Sequence, residues 1–297
     1  MYKFSLIIPH HNTPDLLRRC IESIPKRDDL QLIIVDDNSS NEEVDFDLFP
    51  GLNEPNTQVI FTKEGKGGGF ARNVGLRYAQ GEWLLFSDAD DTFNTNIFSK
   101  ALDIYKDSDC DIVYFNSHVI NADTGEMSNN KLEIDAHIKS NKNEDEVWFR
   151  YKATYPWAKM IKKTLVEKHG IKFDEVIAGN DAMFSLLVGH YAEKILLCDM
   201  AIYNWMFRSK GNVTSNLSLS AAMSKFDVAI RRNSFMEKVG VSQYRQNYFE
   251  KYVFLLHKAG LSYPKSFMKV LHNTPYKYIL LDLISFVKFV FKHIKNK

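Results

Sequence analysis

The chain has 297 residues, 45% hydrophobic and 25% charged, which is length and apolar content enough to bury a substantial core and excludes disorder along most of it. Lys and Arg total 38 against 37 Asp and Glu, so no overall basic field exists to hold nucleic acid by counterion release, and a charge-driven partner must bind locally. The cysteines, Cys20, Cys110 and Cys198, are odd in number and lack metal-ligand spacing, the usage of packed free thiols in a reducing compartment.

Met1 to Ser5 leads straight into an apolar strand that reaches Pro9 before a signal-peptide hydrophobic region can form, so cytosolic residence is expected. Phe4 to Ile8 and Leu30 to Val35 read as buried parallel strands, and Thr13 to Ile24 between them carries Leu16, Leu17, Cys20, Ile21 and Ile24 at helical spacing. A third strand is expected at Gln58 to Phe61, a helix at Gly69 to Ala79 and a strong strand at Trp83 to Phe86. This alternation implies an α/β fold built on a doubly wound sheet, in which ligands bind outside the carboxyl ends of the strands. Those ends are Pro9 to Asn12, Asp36 to Asn38 and Ser87 to Asp91, which converge on one crevice.

A further strand is expected near Ile112 to Phe115. The stretch Asn121 to Glu146 is polar and turn-rich and reads as an excursion, after which a patterned region runs from Trp148 to about Ser215 and a helix-rich tail follows. The predicted division is therefore 1–120, 121–215 and a helical extension over 216–297.

Asp88, Asp90 and Asp91 directly follow an apolar strand, and their mutual repulsion would be relieved by a hard divalent cation, Mg²⁺ or Mn²⁺, whose preferred ligands are carboxylate oxygens. The alternative is a solvated turn, or a cap with Asp91-Thr92 opening the helix that contains Phe98 and Leu102. Upstream, Gly67-Gly68-Gly69 followed by Arg72 and Asn73 suits an anionic ligand at a helix start, or forms an ordinary tight turn.

Together these segments resemble the family 2 glycosyltransferases, which have the GT-A nucleotide-sugar fold, a Rossmann-like, doubly wound mixed sheet. The matching motifs are Ser5-Leu6-Ile7-Ile8-Pro9-His10-His11-Asn12, Ile33-Ile34-Val35-Asp36-Asp37-Asn38-Ser39-Ser40, Ala71-Arg72-Asn73-Val74-Gly75, and Gly81 through Asp91, in the family's order over roughly the first hundred residues. The resemblance implies that 1–120 is the nucleotide-sugar half and 121–215 the acceptor half. It implies an inverting, non-processive, metal-dependent hexosyltransferase using a UDP-sugar and Mn²⁺ or Mg²⁺, with a saccharide or lipid-linked saccharide acceptor, in capsule, O-antigen or other surface glycan synthesis.

By the same resemblance Asp37 accepts a hydrogen bond from the uracil imide, Pro9 and His11 line the base pocket, and Asn12, Gly67, Arg72, Asn73 and Asp88 complete the donor site. Asp90 leads metal coordination, with Asp88 and Asp91 assisting. His10-His11 stands where the family usually has Thr-Tyr. In the acceptor half, Pro156-Trp157-Ala158-Lys159-Met160 and Gly179-Asn180-Asp181-Ala182 match the family pattern, with Asp181 as catalytic base and Asn180 in place of the usual Glu. Asn180 and Trp157 are the acceptor-binding candidates, and Arg208 would contact the diphosphate. The structural alternatives are helix capping for Asn180-Asp181, core burial for Trp157 and surface solvation for Arg208.

Tyr276 to Ile294 is strongly apolar but interrupted by Asp282 and Lys288, each costing roughly 2.5–3.5 kcal/mol at a bilayer centre, so spanning is not expected. On a helical wheel Lys277, Asp282, Ser285, Lys288, Lys292 and Lys295 share one arc and leave an apolar face. That face suits a peripheral position on the inner face of the cell membrane, packing on the catalytic domain, or a homo-oligomer contact. Two competing functions are a nucleotidylyltransferase, which would want a Gly-rich basic loop after the first strand where Pro9-His10-His11-Asn12 stands, and a non-catalytic nucleotide-sugar-binding scaffold.

Overall fold

The computed structural model describes residues 1–128, 137–138, 143–207 and 218–295. The chain divides into two compact units, one formed by Met1–Val176 and Asn180–Lys210, the other by Ile177–Gly179 and Gly211–Lys297.

The strands of the first unit are β1 (Phe4–His10), β2 (Leu30–Asp37), β3 (Thr57–Thr62), β4 (Trp83–Phe86), β5 (Thr92–Phe93), β6 (Ile112–Asn121), β7 (Lys159–Lys162) and β8 (Ile195–Phe207). They form one mixed sheet in the order β3-β2-β1-β4-β7-β6-β8-β5. The β3-β2-β1-β4 half is parallel, and β7 runs antiparallel to both of its neighbours, β4 and β6.

Side-chain alternation along β1 sends Leu6 and Ile8 into one core and Ile7 into another. Helices α1 (Pro14–Glu22) and α3 (Thr95–Tyr105) cover the first face with Leu17, Cys20, Phe98 and Leu102. Helices α2 (Gly68–Tyr78) and α6 (Ala182–Tyr191) cover the second with Ala71, Val74, Phe184 and Val188. Burial on both faces explains why these strands read as continuous apolar runs. Gly75 sets how closely α2 sits on β1, since a Cβ there would meet Ile7 Cγ2 at 2.5 Å.

Between α3 and α6 lie α4 (Asn143–Tyr151), at the end of the stretch expected to be a polar excursion, and α5 (Lys163–Lys168). The fold class stands as expected, with differences at element ends. β1 continues to His10, because His10 and Asp36 pair in register and satisfy each other. β6 runs on to Asn121 beside β8. The three cysteines are free and buried.

The second unit is helical: α7 (Leu219–Lys238), a 3₁₀ turn at Ser242–Tyr244, a π-helical turn at Phe249–Val253 that continues into α8 (Phe254–Lys258), then α9 (Tyr263–Asn273) and α10 (Tyr276–Lys295). Ser218 caps α7 by accepting from the Ala221 amide at 3.2 Å, and Phe226, Tyr248, Phe249, Leu256, Val270 and Phe286 form the core. The shared polar arc expected on α10 is divided. Asp282 is buried and paired with Arg245, and Ser285 donates to Glu250, so these two positions face the unit's own interior.

Candidate functional site

The carboxyl ends of β1 and β2 are joined by a buried polar lock. His10 Nδ1 donates to Asp36 Oδ2 at 2.7 Å, while His10 Nε2 accepts the Thr13 amide at 3.1 Å, so the ring hydrogen sits on Nδ1. Asp36 also accepts from the Ser39 amide at 3.1 Å and from its hydroxyl at 2.5 Å. Burial works to raise the Asp36 pKa, but the bonds from His10 and Ser39 outweigh it and hold the carboxyl below its usual range. Asn12, in the left-handed region at φ 54, donates its amide to Ser39 Oγ at 2.8 Å and accepts the Ser40 amide on Oδ1 at 2.8 Å. Asn and Asp tolerate that backbone conformation better than other side chains with a Cβ.

Asp37, at the end of β2, is buried and accepts from Thr62 Oγ1 at 2.8 Å and from the Gly67 amide at 2.5 Å. Gly67 precedes α2 at φ 87, a left-handed conformation that glycine adopts without a Cβ penalty. Exposed His11 meets the Asp37 carbonyl through Nδ1 at 3.0 Å, so Asp37, His11, Asn12 and Gly67 gather at the carboxyl ends of β1 and β2. Pro9 lies in β1, in register with Val35.

The acidic loop after β4 is anchored from β8. Tyr203 Oη donates to Asp91 Oδ2 at 2.6 Å and accepts the Asp88 amide at 3.1 Å, while the Met206 amide donates to Asp91 Oδ1 at 2.8 Å. Both Asp91 oxygens are thus held inside the protein, and the residue is 2% exposed. Burial first, then the charges of Asp88 and Asp90, push its pKa well above the usual carboxylate range. The expectation that Asp91 assists a metal ion is therefore corrected: it is the buried clasp of the loop. It does not cap the next helix either, since α3 starts at Thr95. Cys20 packs under the loop, where burial pushes its thiol up to about 12.

Asp90 is exposed, with its carbonyl bound by Arg19 Nη2 at 2.6 Å, and Asp88 is partly exposed. Among the described residues no cluster of three or more His, Cys, Asp or Glu is arranged around a common point. Two carboxylates on a rigid strand-end loop nevertheless fit the donor set of Mg²⁺ or Mn²⁺ in a nucleotide site, where one or two carboxylates are completed by phosphate oxygens and water.

Arg72 joins the two halves of the first unit. It is buried on α2, donates from Nη2 to Asp88 and from Nη1 to Asn180 Oδ1 at 3.0 Å, and lies over the Phe173 ring at 5.4 Å. Asn180 therefore acts as a neutral acceptor for the guanidinium and leaves its charge to Asp88. Asn73 takes no outward position. It is buried, clamps Phe173 through both the amide and the carbonyl of that residue, and also donates to Glu175 at 3.1 Å, so its expected donor contact is corrected to a support under the 173–175 segment.

Asp181 directly precedes α6, but its side chain makes no capping bond to the helix. Burial is the main force raising its pKa, Arg72 opposes this, and Asp88 adds to it. Trp157 is buried, with its ring stacked on Tyr155 at 4.2 Å and on Tyr203 at 5.0 Å. Its expected role as a platform for the acceptor is corrected, because protein rings already occupy it. Arg208 lies outside the described residues.

Residues 5–170 match the model for Glycosyl transferase family 2. The chain belongs to this family. Among curated members it is 29% identical over 219 residues to the minor teichoic acid biosynthesis protein GgaB of Bacillus subtilis, covering 71% of this chain and 24% of that protein. It is 24% identical over 226 residues to the poly(ribitol-phosphate) beta-N-acetylglucosaminyltransferase TarS of Staphylococcus aureus, covering 74% and 38%. The chain thus spans well under half the length of these two family 2 relatives. The crystal structure of TarS 1-349 in complex with UDP-GlcNAc superposes with a TM-score of 0.71 at 18% identity, covering 99% of this chain and 92% of that one. A mannosyltransferase from Pyrobaculum calidifontis in complex with GDP-Man and Mn²⁺ gives 0.58 at 13%, covering 99% and 82%. The family 2 fold is therefore the GT-A sheet.

Two residues of this family 2 site are additional to the expected set. Tyr203 is the first, and its link to Asp91 spans 112 positions of sequence. Lys159 is fully buried on β7, donating to the carbonyls of Ala153 at 3.1 Å and Tyr155 at 2.5 Å, and burial lowers its pKa to about 7. Its one sequence signal is its place at the head of a four-residue strand, between the apolar residues Ala158 and Met160.

Proposed function

We propose that the chain transfers a sugar, with inversion, from a UDP-sugar to a hydroxyl of a saccharide or lipid-linked saccharide in the synthesis of a surface glycan. The observation that carries this reading is the Arg72 bridge, which ties Asp88 at the donor loop to Asn180, next to Asp181 at the start of α6. The names of the relatives, which concern teichoic acid and poly(ribitol phosphate) glycosylation, support the acceptor class. The UDP-GlcNAc complex of the TarS neighbour supports the donor class.

In this reading residues 1–120 handle the donor, 121–215 the acceptor, and 216–297 form a helical extension. Asp37 accepts the imide N–H of the base; its oxygens take bonds from Thr62 and Gly67, and each retains a second lone pair. His11 and Asn12 flank that position. Asp181 takes the proton of the acceptor hydroxyl as the acceptor oxygen bonds to the anomeric carbon and the bond to the diphosphate breaks, the electron pair leaving with the diphosphate. Its raised pKa brings a carboxylate closer to the range in which general bases work best. Arg72 holds Asp88 and Asn180 in place on either side of that path. A divalent ion, held by Asp90 and Asp88, would supply neutralisation of the charge gathering on the departing diphosphate.

Incubation with a panel of nucleotide sugars and Mn²⁺, reading free nucleoside diphosphate, tests the proposal. Release from UDP-sugars that falls sharply in Asp90→Ala is expected. Release unchanged by Asp90→Ala would remove the metal from the reading, and tight binding without release from any donor would leave a scaffold.

A further inference from the structure

The near-neutral chain conceals a strong charge asymmetry: residues 211–297 hold fourteen Lys and Arg against four Asp and Glu, whereas residues 1–210 hold 24 against 33. Within the basic segment, α10 presents two different sides. One side carries Asp282 into its pairing with Arg245 and Phe286 into the core beside Phe249 and Phe254. The other side is apolar and uncovered, with Tyr276 94%, Leu280 70%, Ile284 46%, Val287 49% and Phe291 60% exposed. At the helical repeat these five fall within an arc of about 80°, bordered along one edge by exposed Lys288 and by Lys277, which pairs with Glu237. Single exposed apolar residues are ordinary on a soluble surface, but a continuous stripe marks an interaction surface.

We propose that this stripe of α10 lies in the interfacial layer of an anionic lipid bilayer, with the helix parallel to the membrane plane. An apolar stripe with lysines at its border is the arrangement that buries in the acyl boundary while the cations meet anionic headgroups. Among the described residues no helix is long and apolar enough to cross a membrane. The pairing of Asp282 with Arg245, on the side away from the stripe, holds α10 flat against its own unit and opposes insertion as a span.

Charge decides between this occupant and the others. A second copy meeting the stripe across a twofold axis would bring two strongly basic segments and their lysine borders together, whereas an anionic surface complements them. Nucleic acid would meet the lysines but leave the aliphatic stripe in water. Tyr276 and Lys288 are suited to the headgroup level, as amphipathic rings and long cationic stems are at membrane interfaces.

The test uses the full chain and vesicles, so its result does not depend on transfer activity. Sedimentation is expected with vesicles of phosphatidylglycerol mixed with phosphatidylcholine, much less with phosphatidylcholine alone, and less at high salt. Ile284→Glu combined with Leu280→Glu, both at exposed positions, is expected to weaken binding about tenfold or more with an unchanged circular dichroism melt, since each tenfold step needs only about 1.4 kcal/mol. Lys288→Glu is expected to weaken binding to the anionic vesicles alone. Failure of the wild-type chain to sediment with anionic vesicles, or equal binding by the double variant, would overturn the proposal. A dimer seen by light scattering without lipid, dissolved by Ile284→Glu and accompanied by no vesicle binding, would assign the stripe to a second copy instead.

Discussion

Tyr203→Phe removes a single oxygen and tests whether the acidic loop is held from β8. The ring contacts survive the change, since Phe keeps the stacking on Trp157 and the edge contact with Phe93. Three hydrogen bonds are lost: the donation to Asp91 Oδ2 at 2.6 Å, and acceptance from the Asp88 amide at 3.1 Å and the Ser87 hydroxyl at 3.3 Å. Ser87 retains a bond to the Asp88 carbonyl at 3.1 Å, so its loss costs little. The buried Asp91 oxygen and the Asp88 amide have no such second partner, and leaving each unsatisfied costs about 1–3 kcal/mol. A loss of about 2–6 kcal/mol is expected, a large fraction of the about 5–15 kcal/mol that stabilises an ordinary domain. Urea unfolding followed by tryptophan fluorescence, which Trp157 reports from the adjacent ring, measures it. A loss below about 0.5 kcal/mol, the level of an ordinary surface substitution, would show that Asp91 and the loop are held by something other than Tyr203.

Lys159→Met removes a buried ammonium whose pKa burial depresses from 10.5 to about 7. Between those values the unfolded chain carries a proton that the folded chain has released, so this lysine makes stability rise with pH, at most by about 1.4 kcal/mol per unit. Urea midpoints measured from pH 7 to 10 are expected to rise less steeply in the variant, and equal slopes would assign the titration to another group. Arg72→Lys replaces a fork that reaches Asp88 and Asn180 together with a single ammonium. Transfer is expected to fall by about tenfold to a hundredfold while the melt shifts little, and full activity would deny the bridge a positioning role.

The doubly wound half was legible because its strands are covered on both faces, and an unbroken run such as Leu30 to Val35 needs no periodicity to be recognised. β5 was not, being two residues long and paired only with the distant β8. At the site, the places of Asp37 and Asp88 at strand ends were legible from the apolar runs before them, whereas Asp181 was singled out only by the likeness of its segment to the family pattern. Asp88, Asp90 and Asp91 look alike in sequence, and what separates them is a hydroxyl and an amide contributed by β8. Trp157 failed as a platform for the same reason, since Tyr203 and Tyr155 occupy its stacking contacts from remote positions. Lys159 escaped notice because lysines are almost never fully buried, and two backbone carbonyls make this one an exception. The departure Asn180 becomes intelligible only beside Arg72, 108 residues away, which needs an acceptor there and finds its counter-charge on Asp88.

Asp181→Asn is the most direct measurement of the proposed chemistry. The amide is close to isosteric with the carboxylate and leaves the Arg72 bridge untouched, but it cannot take a proton from the acceptor. Calorimetric binding of the UDP-sugar is expected to stay within about twofold of wild type, while transfer to the acceptor falls by about 10²–10⁴-fold, the usual contribution of a general base. Transfer at the wild-type rate, with donor binding intact, would contradict the assignment and place the base elsewhere.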